Sequence, residues 1–229
     1  MSNYRILFLD LDDTLYPSTC GLWQAIGDRI IAFMTDRLDI SAHRANELRK
    51  DYFQAYGTTL NGLRIHHKVD PLDYLNFVHD VPIDSFLQPD PELCEMLTNV
   101  VQKRVIFTNA SCDHAERVLN RLGIEKQIDQ VIDIITLDYH NKPEPSAYSR
   151  ALSLTGEKDP SACLLVDDRS RNLIPGGAMG MTTVLVGEDD PDPSIDFHIN
   201  IITQLTRTVP GLDHGALMDD STEKTTLEE

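Results

Sequence analysis

Five short apolar-rich runs punctuate the chain, at 5–9, 104–107, 131–135, 163–166 and 182–186. Each ends near a polar or glycine residue, and within each the apolar residues follow one another instead of alternating with polar ones. That pattern marks strands buried on both faces, as in a parallel sheet. Between them the period changes. In CDHAERVLNRLG (112–123), Ala115, Val118, Leu119 and Leu122 share one helical face and Gly123 closes the run. PSAYSRALSLTG (145–156) repeats the arrangement. SRNLIPGGAMG (170–180) reads as a shorter helix with Pro175 and two glycines close behind. Strands alternating with helices predict an α/β fold, a doubly wound, Rossmann-like parallel sheet.

One stretch breaks the alternation. Residues 18–88 show helical periodicity and no clear buried strand. GLWQAIGDRIIAFMTDRL offers Trp23, Ile26, Ile30, Phe33, Met34 and Leu38 to one broad apolar face, which reads as core. SAHRANELRKDYFQAYG opens at a candidate N-cap, Ser41, and ends at Gly57. DPLDYLNFVHD, from Asp70, is a further helix. The predicted division is a core domain from 1–17 and 89–210, a helical cap domain at 18–88, and an acidic tail at 211–229. The tail lacks a sustained apolar pattern and is expected to be disordered.

Composition narrows the function. The 229 residues carry a formal net charge of −17, which repels nucleic-acid polymers and anionic membranes. A small phosphorylated ligand would be repelled too, unless a metal or local Lys and Arg residues reverse the field at one place. The four cysteines are scattered, without metal-ligand spacing, and read as reduced thiols. No leader pattern and no run long enough to span a bilayer is present. The expectation is a cytoplasmic protein, monomeric or homodimeric.

Candidate chemistry gathers at the strand ends. The first run, RILFLDLDDTLYP, leads directly into Asp10, Asp12 and Asp13. Like charges repel, and a buried carboxylate without a partner is costly. Asp10 falls at the C-terminal end of the first strand, where open α/β sheets bind ligands. Asp12, two residues on, points to the same side. One carboxylate there can attack as a nucleophile while the other moves protons. A carboxylate nucleophile is ionised at neutral pH and needs no activating base. Other strand ends add Thr108 and Asn109 (VIFTNAS), Asp167 and Asp168 (LLVDDRS), and Lys142 (NKPEPSAY). Hard oxygen donors of this kind suit Mg²⁺. Thr108 and Lys142 would complement the remaining phosphate charge.

With these four motifs in order, the chain resembles the haloacid dehalogenase-superfamily phosphatases from about residue 5 to 205. DxDxT stands as Asp10-Leu11-Asp12-Asp13-Thr14, the hydroxyl motif as Thr108, the lysine as Lys142, and the acidic pair as Asp167-Asp168. The resemblance implies roles. Asp10 would form an aspartyl-phosphate and ligate Mg²⁺. Asp12 would be the general acid-base, its backbone carbonyl a metal ligand. Thr108 would hydrogen-bond the phosphoryl group, and Lys142 would neutralise it and orient Asp10. Asp168 would bind the metal directly and Asp167 through water. Many relatives carry an acidic residue four places after the direct ligand; here stands Asn172, which can hold a metal-bound water. An Asp at position 12 goes with phosphate transfer instead of dehalogenation. The insert resembles a helical cap of the first type (C1), which closes over small substrates.

DLDDTLYP, YGTTLNGL (56–63) and DYLNFVHD (73–80) further resemble the pyrimidine 5′-nucleotidase-like branch known from yeast and plants. That implies a nucleoside 5′-monophosphate as the small phosphorylated substrate, with Thr58, Thr59 and Asn61 in contact with it from the cap or, equally, capping a loop. Other small esters such as sugar phosphates or pyridoxal phosphate, a phosphomutase, and a non-catalytic binding protein are the alternatives. Asp13 is expected to be structural, hydrogen-bonded to nearby backbone. His66, His67, His79 and His114 are expected to be solvated cap residues.

Overall fold

The computed structural model describes residues 4–187 and 192–212. Six strands form one sheet: β1 (Ile6–Leu9), β2 (Lys103–Phe107), β3 (Gln130–Ile132), β4 (Cys163–Asp167), β5 (Thr182–Val186) and β6 (Phe197–Ile199). Their order is β3-β2-β1-β4-β5-β6, and every neighbouring pair is parallel. The chain moves from β1 outward through β2 and β3, then returns to β4 on the other side of β1. That reversal opens a crevice beyond the carboxyl ends of β1, β2 and β4.

The continuous apolar runs have a simple cause. In β1, Ile6 and Phe8 face one layer while Leu7 and Leu9 face the other, and all four are buried. Leu7 and Leu9 pack into the core with α5 (Pro91–Asn99) and α6 (Cys112–Leu122). Ile6 and Phe8 pack with α7 (Pro145–Thr155) and α8 (Ser170–Ala178). The Phe8 ring meets Phe107 edge-on at 5.9 Å, and Phe107 meets Tyr148 at 5.4 Å. Helices on both faces make the sheet doubly wound, as the alternation predicts.

Between β1 and α5 lie four helices: α1 (Leu22–Leu38), α2 (Ala42–Tyr56), α3 (Thr59–His67) and α4 (Pro71–Val78). Side chains of Ser41, Thr58 and Asp70 cap α2, α3 and α4 by accepting from free backbone N–H groups. The apolar face of α1 buries Ile26, Ile30, Phe33 and Met34, and Phe33 stacks edge-on against Tyr74 and Phe77.

Some elements differ from the expectation. The run at 131–135 stops being strand at Ile132 because Asp133 turns the chain. Its Oδ1 accepts from the Thr136 N–H at 2.8 Å, and its Oδ2 accepts from the Cys112 N–H at 2.9 Å. Helix α8 continues through Pro175 and both following glycines. A Cβ on Gly176 would lie 2.5 Å from Leu165 Cδ2, so glycine is what lets α8 approach the sheet. The sequence reading leaves β6, α3 and α5 unassigned. The acidic tail expected at 211–229 lies outside the described residues from 213 onward. Among the described residues no helix is long and apolar enough to cross a membrane.

Candidate active site

The crevice at the carboxyl ends of β1, β2 and β4 brings Asp10, Thr108, Lys142 and Asp167 together, all buried. The Asp10 N–H donates to the Val166 carbonyl at 2.9 Å, which ties the end of β1 to β4. Beyond it Asp13 takes a left-handed backbone conformation (φ 60°), and the chain turns so that the Leu15 N–H returns to the Leu11 carbonyl at 3.0 Å. This turn sets Asp12 beside Asp10.

The Lys142 ammonium sits between two carboxylates, donating to Asp10 Oδ1 at 2.7 Å and to Asp167 Oδ2 at 2.6 Å. Asp10 Oδ2 accepts from the Thr14 hydroxyl at 3.1 Å. Asp167 also accepts from the Arg169 N–H at 2.9 Å and from the Asn172 amide at 2.9 and 3.2 Å. Asn172 therefore turns its nitrogen toward Asp167. The Asp168 carboxylate pairs with the partly exposed Arg169 at 2.9 Å.

Charge in this cluster does not balance. Burial alone would lower the Lys142 pKa, but Asp10 and Asp167 outweigh it and hold the ammonium charged. Burial, and then Asp167, push Asp10 above the ordinary carboxylate range even against Lys142. Burial, Asp167 and Asp10 do the same to Asp168. The nucleophile candidate thus holds a proton more readily than an ordinary carboxylate. Oxygens of Asp10, Asp167 and Asp168 lie within 4.8 Å of one another. Three hard carboxylates facing one buried lysine and the partly exposed Arg169 are short of positive charge, so the residues fit a divalent cation such as Mg²⁺.

Asp12 stands apart from this cluster. Its Oδ1 accepts from the Tyr16 hydroxyl at 2.6 Å and contacts His114 Nε2 at 2.8 Å. Burial would raise its pKa, but His114 and Tyr16 outweigh burial and hold it below the ordinary value. His79 and His114 are both buried, contrary to the expectation of solvated cap histidines; His66 and His67 are exposed. Residue 114 belongs to α6 under the sheet edge, where a helical pattern alone gives no sign that the ring faces Asp12. Asp13 also departs from expectation: its buried Oδ1 has no hydrogen-bond partner among the described residues, and burial and then Asp12 raise its pKa to about 6.

Thr108 Oγ1 accepts from the Ala110 N–H at 3.0 Å. Asn109 lines the cavity, but its side chain clasps the backbone of Lys142. Its Nδ2 donates to the Lys142 carbonyl at 3.0 Å, and its Oδ1 accepts from the Lys142 N–H at 2.9 Å.

A cavity of about 380 Å³ opens over these groups, lined by Asp10, Asp12, Thr108, Lys142 and Asp168 below and by α1–α4 above. The upper wall is mainly apolar, with Trp23, Ile26, Ile30, Phe53 and Val78, and Asn46, Arg49 and Lys50 add polar groups from α2. Trp23, Ile26 and Ile30, whose spacing reads as core, pack in the core and also form this wall. A Cβ on Gly27 would fall 2.6 Å from the Arg49 guanidinium, so this glycine makes room for the arginine. Thr58 and Thr59 reach the lining, and Asn61 does not. The Asn61 amide donates to the Tyr139 carbonyl at 2.9 Å and to Asn141, and its oxygen accepts from Arg64 at 2.8 Å. A Cβ on Gly57 would lie 2.1 Å from Asn141 Nδ2 and 2.7 Å from the Lys142 carbonyl. The GTTLNGL segment thus docks the helices onto the loop that carries Lys142.

Comparison with known proteins agrees with this fold. The model of haloacid dehalogenase-like hydrolases matches residues 4–180. Phosphate metabolism protein 8 of Saccharomyces cerevisiae is 27% identical over 195 residues, covering 79% of this chain; the chain spans only 61% of that relative's length. Among solved structures, a HAD phosphatase from Thermococcus onnurineus has a TM-score of 0.59 at 19% identity, covering 89% of this chain and 96% of its own. The HAD hydrolase YfnB of Bacillus subtilis, solved with magnesium, has a TM-score of 0.58 at 15% identity and 90% and 98% coverage. The L-2-haloacid dehalogenase of Xanthobacter autotrophicus has a TM-score of 0.55 at 14% identity and 89% and 97% coverage. At such identities these structures speak to the fold alone.

Proposed function

The chain belongs to the haloacid dehalogenase-like hydrolases, and from that premise we propose that it is a Mg²⁺-dependent phosphomonoesterase acting on a nucleoside 5′-monophosphate, with pyrimidines preferred. The observation that carries the reading is Lys142 bridging Asp10 and Asp167 beside a second carboxylate, Asp12, that belongs to a separate hydrogen-bond network. One carboxylate is placed for attack and the other for proton transfer, and hydrolysis through a covalent intermediate needs both.

Asp10 attacks phosphorus in line, and the bond to the ester oxygen breaks. Asp12 gives its proton to the departing alcohol. A water molecule then attacks the aspartyl-phosphate, giving its proton to Asp12, and releases inorganic phosphate with Asp10 restored. Because Asp12 is held below the ordinary carboxylate range, it takes the proton it donates from solvent as the negatively charged phosphate binds beside it. Thr108 hydrogen-bonds the phosphoryl oxygens, Lys142 neutralises their charge, and Asn109 fixes the backbone of Lys142. Asp10, Asp168 and the Asp12 carbonyl would hold Mg²⁺, with Asp167 acting through water because its oxygens already serve Lys142, Arg169 and Asn172. The metal, when bound, offsets carboxylate repulsion and developing phosphoryl charge.

The division into a core of 1–17 and 89–210 and a cap of 18–88 belongs to this reading, with the cap supplying selectivity. A cavity of about 380 Å³ lies within the size range of small-ligand sites. Trp23 and Phe53 suit a flat base, and Asn46, Arg49 and Lys50 suit its carbonyl acceptors. In this reading the protein works in the cytoplasm, as a monomer or homodimer. The test is phosphate release from UMP, CMP, AMP, GMP, pyridoxal phosphate and sugar phosphates, with Mg²⁺, with EDTA, and with Asp10→Asn. Metal-dependent release from UMP or CMP, lost in the variant, supports the reading. Release only from another ester keeps the chemistry and replaces the substrate, and no release from any ester overturns the hydrolase.

A further inference from the structure

Asp12 is gripped on one oxygen only. The Tyr16 hydroxyl and His114 Nε2 converge on Oδ1, at 2.6 and 2.8 Å, and no described residue donates to Oδ2. His114 is fully buried, and its Nδ1 has no hydrogen-bond partner among the described residues. Asp12 is therefore the sole side-chain hydrogen-bond partner of this ring among the described residues. A buried polar ring left half-satisfied is a costly arrangement unless its remaining contact has a use.

The ring is itself held. His79, at the C-terminal end of α4, stacks on it with centroids 4.3 Å apart and planes 19° apart. His79 Nδ1 lies 3.0 Å from the Ser111 hydroxyl, and Ser111 caps the helix that carries His114. Three residues after His114, Arg117 donates to the carbonyls of His79 and Val81 at 2.7 and 2.5 Å. The chain leaving the helical insert is thus clamped to α6, and α6 holds Asp12.

We propose that His114 is the positioning residue for Asp12: its Nε2–H fixes Oδ1 so that Oδ2 meets the departing alcohol oxygen, and His79 fixes the imidazole. The proposal rests on the phosphatase reading and adds to it a residue outside the four motifs. General acid catalysis depends on the carboxyl being within hydrogen-bond reach of the leaving oxygen, and a carboxylate free to rotate loses that advantage.

Two esters of similar size separate this role from a structural one. Benzyl phosphate releases an alcohol that needs the proton; 4-nitrophenyl phosphate releases a phenolate that does not. His114→Phe keeps a ring against His79 and removes the donor, and His114→Gln keeps a donor and removes the ring. Each would be assayed with Mg²⁺, and kcat/KM compared for the two esters. The expected result is that the benzyl to nitrophenyl ratio falls about 100-fold in the Phe variant and stays within about fivefold of the unmodified protein in the Gln variant. If the Phe variant does not fold, His114→Met replaces it with the same expectation. Equal loss on both esters, or no loss in either variant, overturns the proposal while leaving the phosphatase intact. Absence of turnover of both esters, and of UMP and CMP, by the unmodified protein overturns both.

Discussion

The two walls of the cavity are built differently. The sheet wall is a closed set of charges: Lys142 lies 2.7 and 2.6 Å from carboxylates on two different strands, and its peptide is clasped by Asn109 from a third. The helical wall is apolar surface with a few polar side chains from α2, and its Arg49 forms no ion pair among the described residues. Charges in the first wall are locked by neighbours whose own positions are set by the sheet register. Groups in the second wall rest on helix packing and can be exchanged without uncovering a buried charge. On the proposed reading chemistry falls to the sheet and selection to the helices, and each half should fail differently when altered.

The largest effect is expected in the sheet wall. Asp10→Asn should reduce phosphate release by about 10⁴-fold or more while the circular dichroism spectrum is kept. Lys142→Ala leaves Asp10 and Asp167 facing one another in a buried site, and urea unfolding should show a loss of about 3–5 kcal/mol. A loss well below this would mean the two carboxyls take up protons and need no lysine. Gly57→Ala tests the joint between the walls. Its φ is +78° and its Cβ would collide with Asn141 and the Lys142 carbonyl, so about 1–3 kcal/mol of stability should be lost. In the helical wall, Trp23→Ala should raise KM about tenfold for the nucleotide with kcat nearly unchanged, as loss of uniform binding does. A fall in kcat alone would break the division between the walls.

The mildest expectation concerns pH. Asp10 and Asp168 are pushed up to about 7 and about 8 by burial and by neighbouring carboxylates. In the metal-free fold they keep protons that the unfolded chain releases near pH 4. Their contribution to stability therefore falls as pH rises from about 4 to about 8. His79, held neutral by burial and by His114, works in the opposite sense below its ordinary 6.5, so the fall is cleanest from 6.5 to 8. Thermal unfolding with EDTA and with Mg²⁺ should show a metal stabilisation that grows across that interval. A constant increment would argue against the metal meeting these carboxyls.

The sheet wall was legible in the sequence because strand ends are a backbone property. An apolar run buried on both faces fixes where Asp10, Thr108 and Asp167 emerge, and the alternation of elements fixes which edge they share. The helical wall was less legible. Trp23, Ile26 and Ile30 have the spacing of core residues, and a cavity wall has the same spacing. The resemblance of GTTLNGL leaves Asn61 open between ligand contact and loop capping, and its amide holds the loop at 139–141. His114 could not be found by pattern, since only the fold brings α6 against the turn after β1. Helix α5 had a readable signal, with Asp90 as cap and Pro91 in the first turn. Strand β6 had none, being three residues at the sheet edge with one side chain exposed.

The central claim is that phosphate passes through Asp10. Rapid acid quenching of the protein with Mg²⁺ and CMP or 4-nitrophenyl phosphate, followed by mass spectrometry of the peptide spanning 5–17, tests it directly. The account predicts a phosphoryl group on Asp10 within the first turnover, gone after substrate is exhausted and never seen in Asp10→Asn. Phosphate release at full rate with that peptide unmodified, or with the phosphoryl group on another residue, would contradict it.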